Sequence, residues 1–218
     1  MKNLPKNLQQ NLVLWLDWSV SGTTAYDLSW NSNNWTTSWS PTTQRVLQNK
    51  GFTLNGSSQY IIPWFLPSYQ NLTLSFAVKI DNISVTNTIF AFRNSGNWNP
   101  ILASYVESGS FNFRLRNNSG GNIINIVSPA ISQSIYYLMA YSINTSTWEI
   151  ILYQNWIPVA SWTYGWWSIT VNSDWSAIWV DRFIARQYLV WNVINPMIWN
   201  RTLSPTEIQQ LYYSTYIK

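Results

Sequence analysis

The carboxylates are the groups best suited to acid–base catalysis in this chain, because it contains no histidine and no cysteine. Hydrolysis of a glycosidic bond needs two carboxylates that flank the bond, about 5 to 10 Å apart. No two carboxylates here lie two or four residues apart, the spacing that places a pair on one face of a strand. The spacing therefore predicts a protein that is not an enzyme. The carboxylates are Asp17, Asp27, Asp81, Glu107, Glu149, Asp174, Asp181 and Glu207.

Two of these carboxylates suggest particular roles. Glu149 lies in a strand-like run and is the best candidate for a catalytic carboxylate, but a solvated glutamate on a strand face explains it more simply. Glu207 follows Ser204 by three residues, and Pro205 stands next to the serine. This spacing is typical of a capping box with proline at the first helical position. It predicts one helix in the chain, over residues 205–213.

Asp27, Asn31 and Asn33 suggest a calcium site. Calcium binds six to eight oxygen atoms, which carboxylates, amide side chains and backbone carbonyls can supply. The three residues lie close together in the sequence and could contribute such oxygens. The simpler interpretation is that Asp27 closes an Asx turn. Both interpretations remain open on the sequence alone.

A set of aromatic and planar polar side chains suggests carbohydrate recognition. Binding sites for small ligands combine apolar or aromatic surface with a few placed polar groups, and sugar hydroxyls pair with amides and guanidinium groups. A plain solvated sheet face would have a similar composition, which is the alternative interpretation. The candidates are Asn94, Asn97, Asn99, Tyr105, Arg114 and Arg116.

The composition indicates a polar but weakly charged surface. Of the 218 residues 46% are hydrophobic and only 9% are charged, whereas roughly 25% is usual. The net charge of +4 is dispersed along the chain, which argues against nucleic acid as a partner. No apolar run reaches the roughly 20 residues of a membrane span. The first apolar run stops at Asp17 and is too short for a classical signal peptide.

Tryptophan and glycine occur in an inverted ratio, with sixteen tryptophans and eight glycines. Asn155-Trp156 stands between two apolar runs, where Asn-Gly is the strongest signal for a hairpin. Trp30 and Trp35 lie in a turn rich in Asp, Ser and Asn, at positions where a residue with φ > 0 is expected. Left-handed backbone costs a residue other than glycine about 1–2 kcal/mol. The hypothesis is that the gene reads UGA as glycine and is translated here with UGA as tryptophan.

The tryptophans divide into groups under this alternative genetic code. Those in turn-like settings are predicted to replace glycine, and those inside strand-like runs are predicted to be genuine. The competing interpretation is that all of them are genuine and form platforms for sugar rings. The first group is Trp18, Trp30, Trp35, Trp39, Trp98, Trp156, Trp162, Trp166, Trp167, Trp175, Trp179 and Trp191; the second is Trp15, Trp148 and Trp199, and Trp64 is unassigned.

Alternation of apolar and polar residues predicts a β protein. Residues 72–80 alternate strictly, as in a half-buried strand. Many short strands separated by turns are typical of a sandwich or a barrel. Further strands are predicted over residues 12–17, 51–62 with a turn at Asn55-Gly56, 88–92, 101–106, 111–116, 123–127, 136–143, 148–154, 157–162, 179–184 and 188–199.

Four segments carry a resemblance to a known family, and one of them is residues 51–62, which resemble its F-x-G-x-x-x-Y-I/V segment. With glycine at Trp30 and Trp35, residues 25–36 become AYDLSGNSNNGT, and with glycine at Trp156 the later hairpin becomes YQNGIPVAS. With glycine at Trp179 and Trp191, residues 178–212 become IGVDRFIARQYLVGNVINPMIWNRTLSPTEIQQLY, which resembles a C-terminal signature with a glycine-led strand followed by the capped helix. Together they resemble the concanavalin A-like lectin/glucanase superfamily, in particular its laminin-G-type (LamG-like) jelly-roll domains. The resemblance covers roughly residues 10–215.

The resemblance implies an all-β fold, a two-sheet antiparallel jelly-roll β-sandwich with one short C-terminal helix. Residues 1–11 are then a polar lead-in, and residues 12–218 are a single LamG-like domain. Related jelly rolls often hold calcium at a loop rim. The Glu-x-Asp-x-x-Glu motif of jelly-roll glucanases is absent, and Asn195 and Pro196 replace the usual Asp-Glu.

The function implied by the resemblance is a non-catalytic binding or structural module. Its partner would be a glycan or a protein surface. One setting is a bacteriophage virion, as a capsid decoration or tail-fibre domain among other virion proteins. The alternatives are a secreted or cell-surface lectin and a jelly-roll glycoside hydrolase. The expected location is a virion or an extracellular surface.

Overall fold

The computed structural model describes residues 4–21, 23–38, 42–46, 49–55, 60–62, 71–93, 102–116, 122–163, 172–178 and 190–215. These residues form antiparallel strands and two helices. The strands are β1 (Leu12–Ser21), β2 (Thr24–Asp27), β3 (Trp35–Ser38), β4 (Thr42–Val46), β5 (Asn49–Asn55), β6 (Tyr60–Ile62), β7 (Leu72–Ile80), β8 (Asn87–Arg93), β9 (Leu102–Glu107), β10 (Ser110–Arg116), β11 (Asn122–Ala130), β12 (Tyr136–Asn144), β13 (Glu149–Gln154), β14 (Ile157–Thr163), β15 (Asn172–Ile178) and β16 (Val190–Trp199). The helices are α1 (Lys6–Gln9) and α2 (Pro205–Thr215).

The strands form two sheets that β1 joins. Sheet I has the order β4-β5-β16-β7-β12-β13-β14, and sheet II has the order β11-β10-β9-β8-β15-β6-β3-β2. The first part of β1 pairs with β16, where Leu12 lies opposite Trp199. Its second part pairs with β2, where Leu16 lies opposite Asp27. The predicted all-β sandwich is confirmed, with β1 passing from one sheet to the other.

The main core lies between the two sheets. Phe76 of sheet I and Phe90 of sheet II both pack against Tyr141, with ring centroids 5.9 Å and 5.4 Å away. Tyr141 is fully buried, and its hydroxyl lies 2.6 Å from the Ser104 hydroxyl, so neither polar group is left without a partner. Burial raises the pKa of Tyr141 well above its usual range, which keeps the hydroxyl neutral.

A second core lies on the outer face of sheet I, under the two helices. Leu4 and Leu8 from the N-terminal segment and Ile208 and Leu211 from α2 are buried there against the sheet. The prediction of a polar lead-in over residues 1–11 is therefore wrong for Leu4 and Leu8. The predicted C-terminal helix is confirmed as α2, and the four-residue helix α1 was not predicted. The leucines of the N-terminal segment pack against the outer face of sheet I. Such packing stabilises a short helix more than the helix propensity of its residues does.

Arg201 ties the N-terminal segment to α2. Its guanidinium donates to both carboxylate oxygens of Glu207, at 2.9 and 2.8 Å, and to the backbone oxygens of Asn7 and Gln10. The Ser204 amide donates to Glu207 at 2.9 Å, and the Glu207 amide donates back to the Ser204 hydroxyl. The predicted capping box is confirmed, and α2 begins at Pro205 as expected. The box shares its carboxylate with the arginine clasp.

Acid is expected to weaken this clasp. The hydrogen bond from Arg201 is the main cause that lowers the pKa of Glu207 from 4.5 to about 2. The stabilisation is therefore fully present above pH 4.5 and is lost as the pH falls towards 2. The Glu207 side chain is 19% exposed, so solvent screens the ion pair in part. We therefore expect Glu207→Gln to reduce the free energy of unfolding by about 1–2 kcal/mol at pH 7 and much less at pH 2. Urea unfolding of both proteins at the two pH values measures this; an equal loss at both would show that the charge is unimportant.

Several predicted strands agree closely with the structure, and others do not. The strand predicted over residues 72–80 is β7, and the hairpin around Asn155-Trp156 is β13–β14. The prediction that β7 is half-buried is wrong, because the residues on both of its faces are buried, Thr73 and Ser75 included. Residues 51–62 were predicted as strand, turn and strand, but β5 pairs with β16 in sheet I whereas β6 pairs with β3 in sheet II. The strand predicted over 179–184 lies outside the described residues. Four strands were not predicted, because short polar strands show little alternation of apolar and polar residues. They are β2, β3, β4 and β15.

Candidate functional site

The outer face of sheet II is the sheet surface on which the predicted arginines lie. In β10, Phe111, Phe113 and Leu115 point into the main core, so Arg114 and Arg116 lie on the opposite face. The same alternation places Ala103, Tyr105 and Glu107 of β9 on that outer face. We call Tyr105, Glu107, Asn112, Arg114, Asn125 and Val127 the sheet II site.

The two-residue turn at Ser108-Gly109 sets the register of this site. Both residues have positive φ, +53° and +72°, as in a type I′ hairpin. The turn pairs Glu107 with Ser110 and consequently places Arg114 opposite Ala103. Arg114 and Glu107 are therefore separated by the Tyr105 row, and the long arginine side chain has to run along the face to reach the carboxylate.

Arg114 lies across Tyr105 and ends at Glu107. Its guanidinium carbon is 5.2 Å from the centre of the Tyr105 ring, within the range of a cation–π contact. Its Nη2 atom donates a hydrogen bond to Glu107 Oε2 and forms an ion pair with it. The Asn112 amide donates to the backbone oxygens of Glu107 and Ser110, at 3.3 and 3.1 Å, and so holds the end of β9.

The groups of the pair still reach solvent. The side chain of Arg114 is 25% exposed and that of Glu107 is 39% exposed. On β11, Asn125 lies opposite Arg114, and Val127 lies opposite Asn112; both are exposed. The site thus presents a guanidinium, a carboxylate, an amide and an apolar side chain next to one another.

The structure brings some of the predicted carbohydrate-binding residues together. Tyr105 and Arg114 are in contact, and Arg116 lies on the same face two residues further along β10. Tyr105 is 3% exposed, so its ring supports Arg114 and does not present a stacking surface. The remaining predicted residues, Asn94, Asn97 and Asn99, lie outside the described residues.

Four residues of the sheet II site were not predicted as part of it. They are Glu107, Asn112, Asn125 and Val127. Asn112 alternates with the phenylalanines of β10, and Ser108-Gly109 is a hairpin signal, so the register around the turn could have been read from the sequence. The sequence holds no signal for the path of the Arg114 side chain over Tyr105, since rotamers depend on packing.

The loop of Asp27, Asn31 and Asn33 is held by hydrogen bonds to β1. The Asp27 carboxylate accepts from the backbone amides of Trp15, Ser29 and Asn33, each at 2.8 Å, and from the Ser29 hydroxyl at 2.6 Å. The Asn31 and Asn33 amides donate to the backbone oxygens of β1 residues at 2.9 Å. This is the Asx-turn geometry offered above as the simpler alternative. Among the residues described, no three Asp or Glu side chains cluster as metal ligands do.

The prediction that Trp30 and Trp35 have positive φ is wrong. The left-handed residue of that loop is Ser32, at φ +53°, where a small polar side chain is tolerated. Trp30 is 83% exposed, and Trp35 is 1% exposed in β3. The Nε1 atom of Trp35 is buried without a hydrogen-bond partner, which is unfavourable for an indole.

Two other tryptophans occupy left-handed backbone. Trp156 has φ +65° and follows Asn155 at φ +50°, which confirms the predicted hairpin turn and the glycine-like position in it. Trp148 has φ +58° in the turn over residues 145–148, so its prediction as a strand residue is wrong. This turn reverses the chain between β12 and β13, and its last residue has the left-handed backbone conformation that such turns use. Trp199 lies in a strand, β16, as predicted, and is fully buried.

Within the described part of the chain, neither helix is long and apolar enough to span a membrane. No family model matches the chain, and no curated protein matches it.

Solved structures of toxin binding domains are similar to this chain. The binding domain of Paraclostridial Mosquitocidal Protein 1 is 18% identical, with a TM-score of 0.75 over 95% of this chain and 53% of that one. The botulinum neurotoxin serotype D binding domain is 16% identical, with a TM-score of 0.72 over 94% and 52%. The serotype D ligand binding domain in complex with N-acetylneuraminic acid is 15% identical, with a TM-score of 0.71 over 94% and 51%.

This chain spans about half the length of the structures that it matches. At identities this low, the likeness concerns backbone architecture, and fold does not fix function. The comparisons therefore show that the chain has a β-sandwich fold found in the binding domains of these toxins.

Proposed function

We propose that the chain is a non-catalytic carbohydrate-binding module of the LamG-like type, which binds glycans at the sheet II site. The observation that carries the proposal is the Arg114–Glu107 pair, which reaches solvent beside the exposed Asn125 and Val127. Planar polar groups next to an apolar side chain match the alternation of hydroxyls and C–H surface on a sugar ring.

Two further observations support binding over catalysis. The carboxylates of Glu207 and Asp27 are used by the helix clasp and by the Asx turn, so they hold structure. One of the similar toxin domains was solved with N-acetylneuraminic acid bound, which is a sugar. The LamG resemblance of the sequence favours the same class of function.

We propose a virion surface as the setting, with the chain acting as a bacteriophage capsid decoration or tail-fibre domain. The support is the composition, in which 9% of residues are charged and Asn, Ser and Thr supply the polar surface. Detection of the chain in purified particles by mass spectrometry tests this setting separately from sugar binding.

Glycan binding is expected to depend on Arg114. We expect Arg114→Ala to weaken binding to any glycan retained on an array by tenfold or more, because the site loses its planar donors and the support for Glu107. Calorimetric titration with the retained glycan measures the change. The matched control is Lys79→Ala, which removes the same charge from sheet I. Equal losses in both variants would attribute binding to net charge, and an array without a retained glycan would reject the proposed function.

A further inference from the structure

The geometry points to an uncharged sugar with adjacent hydroxyl groups, in preference to a sialylated or other anionic glycan, as the ligand of the sheet II site. This inference rests on the proposed function and adds the class of sugar to it. It depends on Arg114 being compensated by Glu107, whose side chain is more exposed than that of Arg114.

The Arg114 side chain and the backbone of Glu107 are held by their surroundings. Arg114 lies on the Tyr105 ring, which is buried and cannot move away without leaving its neighbours Ala91 and Ala103. Glu107 ends β9 directly before the type I′ turn, and Asn112 donates to its backbone oxygen. The donor and acceptor are therefore preorganised side by side, which lowers the entropic cost of binding a ligand.

Such a pair is complementary to two neighbouring hydroxyls. A hydroxyl both donates and accepts, so one sugar hydroxyl can accept from the Arg114 guanidinium while its neighbour donates to Glu107. The opposite β11 strand adds the Asn125 amide and the Val127 side chain, which is 47% exposed and suits the C–H surface of the ring. No net charge is required of the ligand.

The same pair disfavours a carboxylate. Strong recognition of a carboxylate by arginine uses two parallel N–H groups. One of the Arg114 nitrogens already donates to Glu107, and the Glu107 charge lies beside the place that an anionic ligand would occupy. An incoming anion would have to displace Glu107 and would be repelled by it. The Arg114–Glu107 pair thus differs in its charge pattern from an arginine placed to bind an acidic sugar.

The test compares one glycan in two forms, an uncharged chain and its sialylated counterpart, both selected from an array on which the wild-type protein is screened. Titration calorimetry is run on the wild type, Glu107→Gln and Glu149→Gln. We expect the wild type to bind the uncharged form at least tenfold more tightly. Glu107→Gln should lose about tenfold for the uncharged form and gain affinity for the sialylated form, which reverses or abolishes the preference.

Glu149→Gln is the matched control, because it removes the same charge from β13 of sheet I and should leave both affinities unchanged. Thermal unfolding confirms that each variant is folded. Arg114→Lys keeps the positive charge and removes the planar guanidinium, so it measures the contribution of the planar group to glycan affinity separately from that of the charge. Wild-type protein that prefers the sialylated form would overturn this inference and leave the proposed function standing. Wild-type protein that binds neither form, nor any other glycan on the array, would reject both.

Discussion

Glycine is expected to be more stabilising than alanine at positions 148 and 156 of this chain. We expect Trp148→Gly/Trp156→Gly to exceed Trp148→Ala/Trp156→Ala in free energy of unfolding by about 1–2 kcal/mol, because the left-handed strain of alanine, about 1–2 kcal/mol per site, is partly offset by the larger conformational entropy that glycine loses on folding, about 0.5–1 kcal/mol per site. Both positions have φ near +60°, where a Cβ atom is crowded and glycine is not. Both variants lose the same indole contacts to neighbouring residues, so the difference isolates the backbone. Urea unfolding of the two double variants measures it.

The two sites should contribute additively. Trp148 and Trp156 lie at opposite ends of β13, roughly 20 Å apart at about 3.3 Å per residue. The turn at Ser108-Gly109 is a natural reference, because there the same type I′ turn has glycine at its second central residue, with φ +72°. At Trp199, which lies outside left-handed backbone, the order should reverse, with glycine about 0.5–1 kcal/mol worse than alanine. Equal stability of the glycine and alanine double variants would mean that these turns tolerate a side chain without strain.

The result bears on the recoding hypothesis. A gene that reads UGA as glycine would place glycine at both left-handed positions. We therefore add Trp148 to Trp156 among the tryptophans that are predicted to replace glycine. The ordinary φ of Trp30 and Trp35 provides no such argument for those two residues. The partnerless Nε1 atom of Trp35 provides none either, because the Nε1 atom of Trp15, which is predicted to be genuine, is also buried without a partner. The intact mass of the protein from its natural source tests the hypothesis directly, and a mass that contains sixteen tryptophans would end it.

Trp199→Ala is expected to destabilise the protein by about 3–5 kcal/mol. The side chain is fully buried in the second core, between the N-terminal segment and α2. Its removal leaves a cavity that the surrounding helices cannot close fully. It also removes the donor to the Leu8 backbone oxygen, a bond of 2.7 Å, and leaves that oxygen without this partner. Urea unfolding and the thermal midpoint measure the loss.

Trp162→Ala is the matched control for this prediction. Trp162 lies on β14 and is 53% exposed, so its truncation should change the free energy of unfolding by at most about 0.5 kcal/mol. Trp199→Phe separates the two contributions at position 199, because it keeps most of the apolar volume and loses the N–H donor. A small effect of Trp199→Ala would indicate that α1 and α2 contribute little to the stability of the sandwich.

The sandwich could be predicted from local patterns. Strict alternation in β7 predicts the side chains that face the main core, although its other face is buried as well, and the Asn155-Trp156 pair fixes the β13–β14 hairpin. The capping box at Ser204 was equally readable, because its hydrogen bonds join residues three apart. The separation of β5 and β6 into different sheets was not readable, since a strand's partner depends on contacts far along the chain.

The sequence by itself determined which side chains of β7 and β10 face the main core, where the best hairpin turns and where the last helix begins, because each follows from interactions between residues close in the chain. The tertiary structure decided what those signals leave open. It buried Leu8 under the Trp199 indole, placed Arg114 across Tyr105 onto Glu107, and assigned left-handed backbone to Trp148 and not to Trp35. These depend on packing between strands and helices whose sequences are far apart, and on side-chain rotamers that no local pattern encodes.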